Sequence, residues 1–487
     1  MSYDISLPAA HRKARFRSLY SRVALHEAVL QVYTKPLFAW RKAYNRSHDD
    51  RTLYDFARHT PQNVDKLHKQ LARETIRFRE ALPVHFNFNG KHRTVYIFPW
   101  EERILDRLLY QMLNRYFHSV FSPNCYAYRY RGFGLDPCQR SIAKRVRDRG
   151  ERVYLLKRDI ANYFPSVDHP LLIDMLRQWV DPHDFLFELL RQRVEFRVRH
   201  EDDVRVMKRG IPFGSPIACF FSNVYLTPLD RALSTLSRAS YFRYADDLLV
   251  LSSSRDVALA AAGRIEDLFG HLKVQSKPSH NASFAFLPPG AKDNKFDSVA
   301  KFRHLGLEFR RDGSIGLSRD KSRKIRNLFR FAFRRERRKF RRHFDPLKRA
   351  KLAVTVAQRV IDNGVRSVSI IDYYLKHVDD EEQLRMLDRW LAEEVLALAF
   401  QNGHRRGNFR RLPFVRLREM GLPSLRHRRR LLRHGHLRSS FFRLRTERVL
   451  QREGRRLPGR KAFSPCLEAA AESKAREKEP PPVDRCH

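Results

Sequence analysis

Two adjacent aspartates lie between two short apolar runs in the middle of the chain. The tetrapeptide Tyr244-Ala-Asp-Asp247 follows Tyr241-Phe-Arg and precedes Leu248-Leu-Val-Leu. Runs of this length and composition predict strands, so the aspartates are expected at the tight turn of a hairpin. Two carboxylates at one turn repel each other, and a hard cation such as Mg²⁺ would offset that repulsion. The residues alone leave open an acidic surface turn without a ligand.

A third aspartate stands at the end of another apolar run, well upstream. Asp159 follows Val153-Tyr-Leu-Leu-Lys-Arg and precedes Ile160-Ala-Asn-Tyr-Phe. If that run is a strand in the same sheet as the hairpin, Asp159 can lie beside the two turn aspartates. Two metal ions about 3.5–4 Å apart need carboxylates from separate strands, which this arrangement would supply. The alternative is that Asp159 caps the short helical turn that follows it.

The chain carries a large excess of positive charge. Its 487 residues include 97 Lys and Arg against 54 Asp and Glu, a net charge of +43. This excess does not help the chain to fold, but it suits binding to a polyanion, which releases its counterions when cations bind. A membrane surface would attract the same charge. No apolar run of about 18 residues is present, however, so no membrane-spanning segment or membrane partner is expected.

Cysteine usage and the N-terminal segment predict a cytoplasmic protein. The five cysteines are widely scattered and form no Cys-x-x-Cys pair, which argues against a zinc site and favours reduced thiols. The first residues, 1–16, contain no apolar signal core.

Several segments resemble motifs of reverse transcriptases and occur in that family's order. The resemblance covers about residues 75–310, and a chance match of all the segments together is negligible. The segments are 93–117 and 121–132 (finger motifs of the bacterial enzymes), 157–164 (motif A), 209–226 (motif B), 244–247 (motif C) and 302–309 (motif E, the primer grip).

The resemblance implies an α+β fold of the right-hand polymerase type. Fingers and a palm with an antiparallel sheet are expected first, followed by a helical thumb and an additional helical C-terminal region. The predicted boundaries are 1–75 for an N-terminal helical region, 76–310 for fingers and palm, 311–400 for the thumb, 401–465 for a basic helical extension and 466–487 for a disordered tail.

The same resemblance implies the composition of the metal site. Asp159 and Asp246 match the direct metal ligands of the family. Asp247 matches the second acidic residue of the hairpin, which supports the metal and the primer end. The backbone carbonyl of Ile160 is expected to complete one coordination shell. The implied cofactors are two Mg²⁺ ions, with Mn²⁺ as an alternative ion.

A pocket for the incoming nucleotide is also implied. An aromatic residue at the position of Phe164 packs where a ribose 2′-hydroxyl would lie, so its volume favours deoxynucleotides; a core phenylalanine is the alternative. Phe213 departs from the family, in which many members have Gln. The other expected contacts are Arg129 and Arg93 with the triphosphate, Gly214 and Ser215 close to nucleotide and template, Asn223 near the nucleotide, and Lys277 near the pyrophosphate. An ordinary surface residue is the alternative for Arg129, Arg93 and Lys277.

Two basic stretches follow the last motif. Residues 319–345 carry arginines at helical spacing where the family has its thumb, which binds the template–primer duplex. The second stretch, 426–445, belongs to a basic helical unit, 405–445, that is expected to bind a structured RNA. A solvated face is the alternative for the first stretch. Core or helix–helix contacts are expected for the phenylalanines of the first stretch: Phe329, Phe331, Phe333 and Phe340.

The predicted function is RNA-templated DNA synthesis, with an RNA template, dNTPs and a cDNA product as partners. Within the family, the chain resembles the free-standing unknown-group enzymes linked to phage defence, which implies a dedicated, structured non-coding RNA. Retron, diversity-generating retroelement and group II intron enzymes share the core and are alternatives. Template-independent or protein-primed DNA synthesis on the same palm is another alternative. A non-catalytic RNA-binding protein is the last, and the intact aspartates argue against it. Oligomerisation is left open.

Overall fold

The computed structural model describes residues 13–34, 46–88, 91–130, 132–150, 152–201, 203–362 and 371–437. These residues fall into two compact units. The first holds those up to Cys138 together with Val153–Ser283, and the second holds Gln139–Arg152 and those from Phe284 onward. Each unit combines helices with strands, which confirms the predicted α+β class. Across the described ranges, no helix is both long enough and apolar enough to cross a bilayer.

Short helices open the first unit. They are α1 (Phe16–Leu19), α2 (Arg22–Thr34), α3 (Leu53–Arg58) and α4 (Thr60–Ala72). A capping box starts α3, because the Thr52 hydroxyl accepts a hydrogen bond from Asp55 N and the Asp55 carboxylate accepts one from Thr52 N. The predicted N-terminal region is therefore helical over much of its described length, and its remaining residues lie outside those ranges.

Alternating residues in 85–98, on both sides of Asn89-Gly90, predict a hairpin, and the apolar spacing from Glu101 to about Phe117 predicts a helix with one apolar face. The paired strands and the helix are present. Strands β1 (Leu82–Phe88) and β2 (Lys91–Ile97) pair antiparallel, with Phe86 opposite Arg93. The Asn89-Gly90 turn expected between them lies outside the described residues. The helix expected next is α5 (Trp100–Tyr116), and its predicted apolar face is buried: Ile104, Leu105, Leu108, Leu109 and Met112.

Helices fill most of the segment between the hairpin and the acidic turn. The elements are α6 (Leu135–Asp148), β3 (Val153–Asp159), α7 (Tyr163–Ser166), α8 (His169–Trp179), α9 (Phe185–Val194), the antiparallel pair β4 (Arg197–His200) and β5 (Asp203–Val206), α10 (Ile217–Tyr225) and α11 (Thr227–Ser234). The composition of residues 216–233 predicts one helix, and the structure has two there. The reason is Pro228 in the first turn of α11, since proline lacks an N–H and its ring clashes with the carbonyl one turn earlier.

Strands β6 (Ala239–Tyr244) and β7 (Asp247–Ser252) carry the acidic turn. β7 lies between β6 and β3 and pairs antiparallel with both. Apolar residues of all three strands are buried, among them Leu155, Tyr241 and Leu249. Helix α12 (Arg255–His271) packs against β3 and β7. Burial of this kind explains why the three runs are nearly continuously apolar rather than alternating.

The second unit has two small β elements and a set of helices. β8 (Ala282–Phe286), whose last three residues belong to this unit, pairs in parallel with β9 (Asp297–Ser298). β10 (Lys301–His304), β11 (Leu307–Arg310) and β12 (Ile315–Leu317) form an antiparallel meander. The helices are α13 (Arg319–Arg335), α14 (Arg337–Arg342), α15 (Pro346–Asp362), α16 (Glu381–Phe400), α17 (Asn408–Arg411), α18 (Phe414–Glu419) and α19 (Leu425–Arg433). Residues 438–465 of the predicted extension and the whole predicted tail lie outside the described residues.

Three of the four phenylalanines expected in core or helix contacts are buried, namely Phe329, Phe333 and Phe340. Phe331 is 63% exposed, so the prediction is wrong for this residue. Helical periodicity explains the difference. Phe329 and Phe333 are four residues apart and share a face, whereas Phe331 is two residues from each and points away from that face.

Candidate active site

The register of the sheet brings three aspartates to one end of it. Asp159 ends β3, and its Cα partner across the sheet is Asp247, the first residue of β7. Asp247 also pairs with Tyr244 of β6, so Ala245 and Asp246 form the two-residue turn, with Ala245 at a φ of 59°. The juxtaposition expected from the sequence is therefore present. The individual roles of the three carboxylates stay predictions.

The turn carries more negative charge than its surroundings offset. Burial raises the pKa of Asp246 to about 6, the Asp159 and Asp247 carboxylates act in the same direction, and Arg93 acts against them. A cation would relieve this cost, and a set of carboxylate oxygens suits a hard divalent ion. Over the described ranges, no group of three or more His, Cys, Asp or Glu side chains is already arranged around a metal position.

Asp159 is held by three residues that follow α12. His280 Nδ1 lies 2.7 Å and Lys277 Nζ 3.8 Å from Asp159 Oδ2. Asn281 Oδ1 accepts a hydrogen bond from Asp159 N at 3.3 Å, and Lys277 N donates to Asp159 O at 2.8 Å. Lys277 is therefore next to a predicted metal ligand. Neither His280 nor Asn281 lies in a segment that resembles a family motif. The sequence feature that could have indicated them is the short polar run that they share with Lys277.

Three of the predicted nucleotide-site residues lie in a row near the acidic turn. Arg93 Cζ is 5.4 Å from the centroid of the Phe213 ring. Phe213 meets Phe164 edge to face, with ring centroids 5.6 Å apart and an interplanar angle of 80°. Arg93 is also the cation that lowers the pKa of Asp246. The row therefore joins a cation close to the carboxylates with the ring that is expected to meet the sugar.

Gly214 and Ser215 contact the protein itself. Gly214 has a φ of 110°, which residues with a Cβ rarely adopt. A Cβ at this position would also lie 2.7 Å from Val95 Cγ1 in β2, so both the backbone angle and the packing favour glycine. Ser215 is buried, and its hydroxyl donates to Asp106 Oδ2 at 2.6 Å. Asp106 in turn accepts from Arg193 Nε at 2.8 Å. The small residues of this loop are explained by contacts within the first unit.

Arg129 and Asn223 are engaged inside the protein. Arg129 Nη1 donates to the backbone oxygens of Ser122 (2.7 Å) and Cys125 (3.2 Å), and Nη2 donates to that of His118 (2.6 Å). Asn223 is fully buried, and its amide donates to Ala127 O at 2.9 Å. Both terminal nitrogens of Arg129 are therefore occupied. The geometry does not support the nucleotide contacts expected for these two residues and favours Arg93 for the triphosphate.

A buried ion pair braces the acidic turn. Arg243, in β6, donates from Nε to Asp230 Oδ1 at 2.7 Å, and neither side chain is exposed. The same guanidinium donates from Nη1 to Asn223 Oδ1 at 3.0 Å and to Ala245 O, within the turn, at 3.2 Å. No motif or spacing in the sequence predicts this positioning role of Asn223 and Arg243. The sequence feature that could have indicated it is Arg243, a charged residue in an otherwise apolar strand next to the aspartates.

Four of the five arginines of α19 form ion pairs with carboxylates of the second unit, and these pairs stabilise the packing of its helices. At this helix, therefore, the geometry does not support the RNA contact expected for 405–445. The ion pairs are Arg426–Glu381, Arg429–Glu381, Arg428–Asp372 and Arg433–Asp379.

The arginines of α13 and α14 behave differently. Several are exposed and, among the residues that the structure describes, have no carboxylate partner: Arg323, Arg334, Arg338 and Arg341. In α13, Phe331 precedes Arg334 by three residues and Arg323 precedes it by eleven, about three helical turns, so the three share one side of that helix. In α14, Arg338 and Arg341 are three residues apart and likewise share a side. We call these five residues the arginine face. Charge that is not neutralised internally is available to a polyanion.

Residues 83–284 match the family described as reverse transcriptase (RNA-dependent DNA polymerase). The chain is also 31% identical over 184 residues to the retron Ec83 reverse transcriptase of Escherichia coli. That similarity covers 36% of this chain and 54% of the relative, so the chain spans about half the length of the curated protein it matches.

Proposed function

Residues 83–284 of this chain are a reverse-transcriptase domain, and on that premise we propose that the protein copies RNA into DNA at Asp159, Asp246 and Asp247. One observation carries the proposal: the antiparallel register sets Asp159 opposite Asp247, beside a turn in which burial raises the pKa of Asp246. Buried like charges from separate strands are what a nucleotidyl-transfer site with bound cations requires. The proposed substrates are an RNA template and dNTPs, and the product is cDNA.

Two Mg²⁺ ions are the proposed cofactors, with Mn²⁺ as an alternative. Asp159 and Asp246 would bind them directly, with the Ile160 carbonyl in one shell and Asp247 in support. Carboxylate and carbonyl oxygens are ligands that Mg²⁺ prefers, so the donors fit the ions. When bound, the ions would activate the attacking primer hydroxyl and stabilise the leaving pyrophosphate.

The other residues of the site have proposed tasks of their own. Asn281 and His280 hold the backbone and one carboxylate oxygen of Asp159. Arg93 would bind triphosphate oxygens, which its planar guanidinium suits. Lys277 would lie on the pyrophosphate side of the site. Phe164 would exclude a ribose 2′-hydroxyl by volume and so restrict the product to DNA.

Binding of template and primer is proposed for the second unit. Residues 311–400 would act as the thumb, and the arginine face would contact the phosphates of the duplex. Residues 76–310 would then form the fingers and palm. Support for this division comes from the unpaired charge on α13 and α14 and from the internal pairing of the arginines in α19.

The proposed template is a dedicated, structured non-coding RNA, and the proposed purpose is defence against phage. The name of the Escherichia coli relative assigns that protein to a retron, which supports a retron-like element here. The resemblance to the unknown-group enzymes supports the defence role. The proposed location is the cytoplasm, and the cysteines within the described residues (Cys125, Cys138 and Cys219) form no disulfide.

Product sequencing tests the proposal against its alternatives. The purified full-length chain would be given a primed RNA of known sequence, dNTPs and Mg²⁺, before and after nuclease removal of co-purified RNA. We expect cDNA complementary to the added RNA, and one abundant co-purified RNA species copied in its absence. DNA of unrelated sequence after nuclease treatment would indicate template-independent synthesis. DNA that stays attached to the protein until protease is added would indicate protein priming.

A further inference from the structure

Phe213 stands at a position where many reverse transcriptases have Gln, and its ring lies between two other side chains. One is the guanidinium of Arg93, whose Cζ is 5.4 Å from the ring centroid. The other is Phe164, in edge-to-face contact at 5.6 Å. A glutamine would offer neither a ring face to the arginine nor a ring to Phe164. The departure therefore creates contacts on both sides of residue 213.

Backbone hydrogen bonds bring the residues that carry the two rings close together. Phe213 O accepts a hydrogen bond from Tyr96 N of β2 at 3.0 Å. Two residues earlier, Ile211 N donates to Phe164 O at 2.9 Å. The segments that carry Phe164 and Phe213 are thus joined through their main chains, and the second is joined to the strand that carries Arg93. These main-chain hydrogen bonds therefore bring Phe164 and Phe213 close enough for their rings to meet.

Phe164 is supported from its other side by the core. Its ring meets the ring of Tyr163 edge to face, with centroids 5.9 Å apart. Tyr163 is buried, and its hydroxyl donates to Ser222 O at 2.6 Å. Tyr163 is therefore anchored in the core, while Phe164 is only half-buried. Removing the ring of Phe213 would open space into which the Phe164 side chain could rotate.

We propose that Phe213 determines sugar specificity, acting through Phe164: it holds the Phe164 ring where a ribose 2′-hydroxyl would clash. The inference rests on the proposed function, in which Phe164 is the residue that meets the sugar. Because the same ring faces Arg93, Phe213 also links the sugar contact to the triphosphate contact. Phe213 is thus a positioning residue for the selection of deoxynucleotides.

A double-mutant cycle tests this role. The full-length chain would extend a DNA primer on an RNA template with either a dNTP or the matching rNTP. The discrimination ratio is kcat/KM for the dNTP divided by kcat/KM for the rNTP. The variants are Phe164→Ala, Phe213→Ala, Phe213→Gln and the double alanine variant. Phe213→Tyr is the matched control, because it keeps the ring. Thermal unfolding of each variant identifies any that fail to fold. If Phe213→Ala does not fold, Phe213→Gln replaces it in the comparison.

The ratio is expected to fall most in Phe164→Ala, by about ten-fold or more. In Phe213→Ala and Phe213→Gln it is expected to fall by roughly two- to ten-fold, the effect of losing one edge-to-face ring pair. The KM for the dNTP should rise in the same two variants through Arg93. Phe213→Tyr should stay close to the wild type. The double variant should match Phe164→Ala alone, because Phe213 has nothing left to position.

Two results would overturn the role of Phe213 while leaving the proposed function intact. In one, Phe164→Ala lowers the ratio and neither Phe213 variant does. In the other, the effects of the two alanine substitutions multiply in the double variant. If Phe164→Ala itself leaves the ratio unchanged, the proposed sugar contact is wrong and the inference falls with it. Absence of primer extension by the wild type on any RNA would instead contradict the proposed function.

Discussion

Removing charge from the arginine face should weaken the salt dependence of nucleic-acid binding. The perturbation is Arg334→Gln, Arg338→Gln and Arg341→Gln in one variant, which removes three exposed cations without a carboxylate partner in the described part of the chain. Each lost phosphate contact lowers the slope of log affinity against log salt by about 0.7–0.9, so three lower it by about 2–3. Between 50 and 200 mM salt, the wild type should therefore lose about 20–40-fold more affinity than the variant.

The assay is fluorescence anisotropy of a labelled RNA–DNA primer–template over that range of salt. The matched control removes three arginines from α19 instead, with Arg426→Gln, Arg428→Gln and Arg433→Gln. These residues are ion-paired within the protein, and Arg428 and Asp372 are only 12% and 5% exposed. The control should lower the free energy of unfolding, by about 3 kcal/mol for the buried pair alone, and leave the salt slope unchanged.

The reasoning would be refuted by an unchanged slope in the arginine-face variant. It would also be refuted if the α19 variant, while still folded, flattened the slope by the same amount. The second result would mean that those arginines leave their carboxylates to bind phosphate, so that pairing in the free protein does not predict availability.

Further substitutions test the site. Asn281→Ala should raise the Mg²⁺ concentration for half-maximal activity by about ten-fold or more, because the backbone beside a predicted ligand loses its support, and primer–template affinity should not change. Gly214→Ala should cost about 1–3 kcal/mol in urea unfolding, from its φ of 110° and the clash with Val95, and Val95→Ala should restore part of that loss. Arg129→Ala should cost about 2–4 kcal/mol of stability, since three backbone carbonyls lose their donor, with the KM for dNTP unchanged in the folded fraction. Arg93→Ala should instead raise the KM for dNTP and leave the free energy of unfolding unchanged. A raised KM for dNTP in Arg129→Ala would support the predicted contact of Arg129 with the triphosphate.

The sequence predicted the parts of the site that local pattern controls. Asp159, Asp246 and Asp247 adjoin apolar runs whose length and composition specify strands, and antiparallel pairing of those strands then leaves little freedom in where the carboxylates meet. The β1–β2 hairpin and the buried face of α5 follow from alternation and from helical period in the same way.

Side chains whose role depends on distant partners could not be predicted in this way. Arg129 and Arg93 both lie in segments that resemble finger motifs, and only the tertiary structure reveals that the first donates to three carbonyls. The arginines of α13 and α19 look alike in composition, but acidic residues from elsewhere in the second unit neutralise those of α19. His280 reaches Asp159 across 121 positions of sequence, which no local pattern encodes.

Incorporation of a dNTP into a primed RNA by Asp246→Asn is the most direct test of the central claim. The substitution removes one of three neighbouring carboxylates that repel one another, so stability should be maintained or increased while the cation site is lost. We therefore expect a protein that unfolds at or above the wild-type temperature and whose Mg²⁺-dependent incorporation is reduced by about 10³-fold or more. Mg²⁺-dependent incorporation at the wild-type rate by folded Asp246→Asn would contradict the proposal that the acidic turn is the polymerase site.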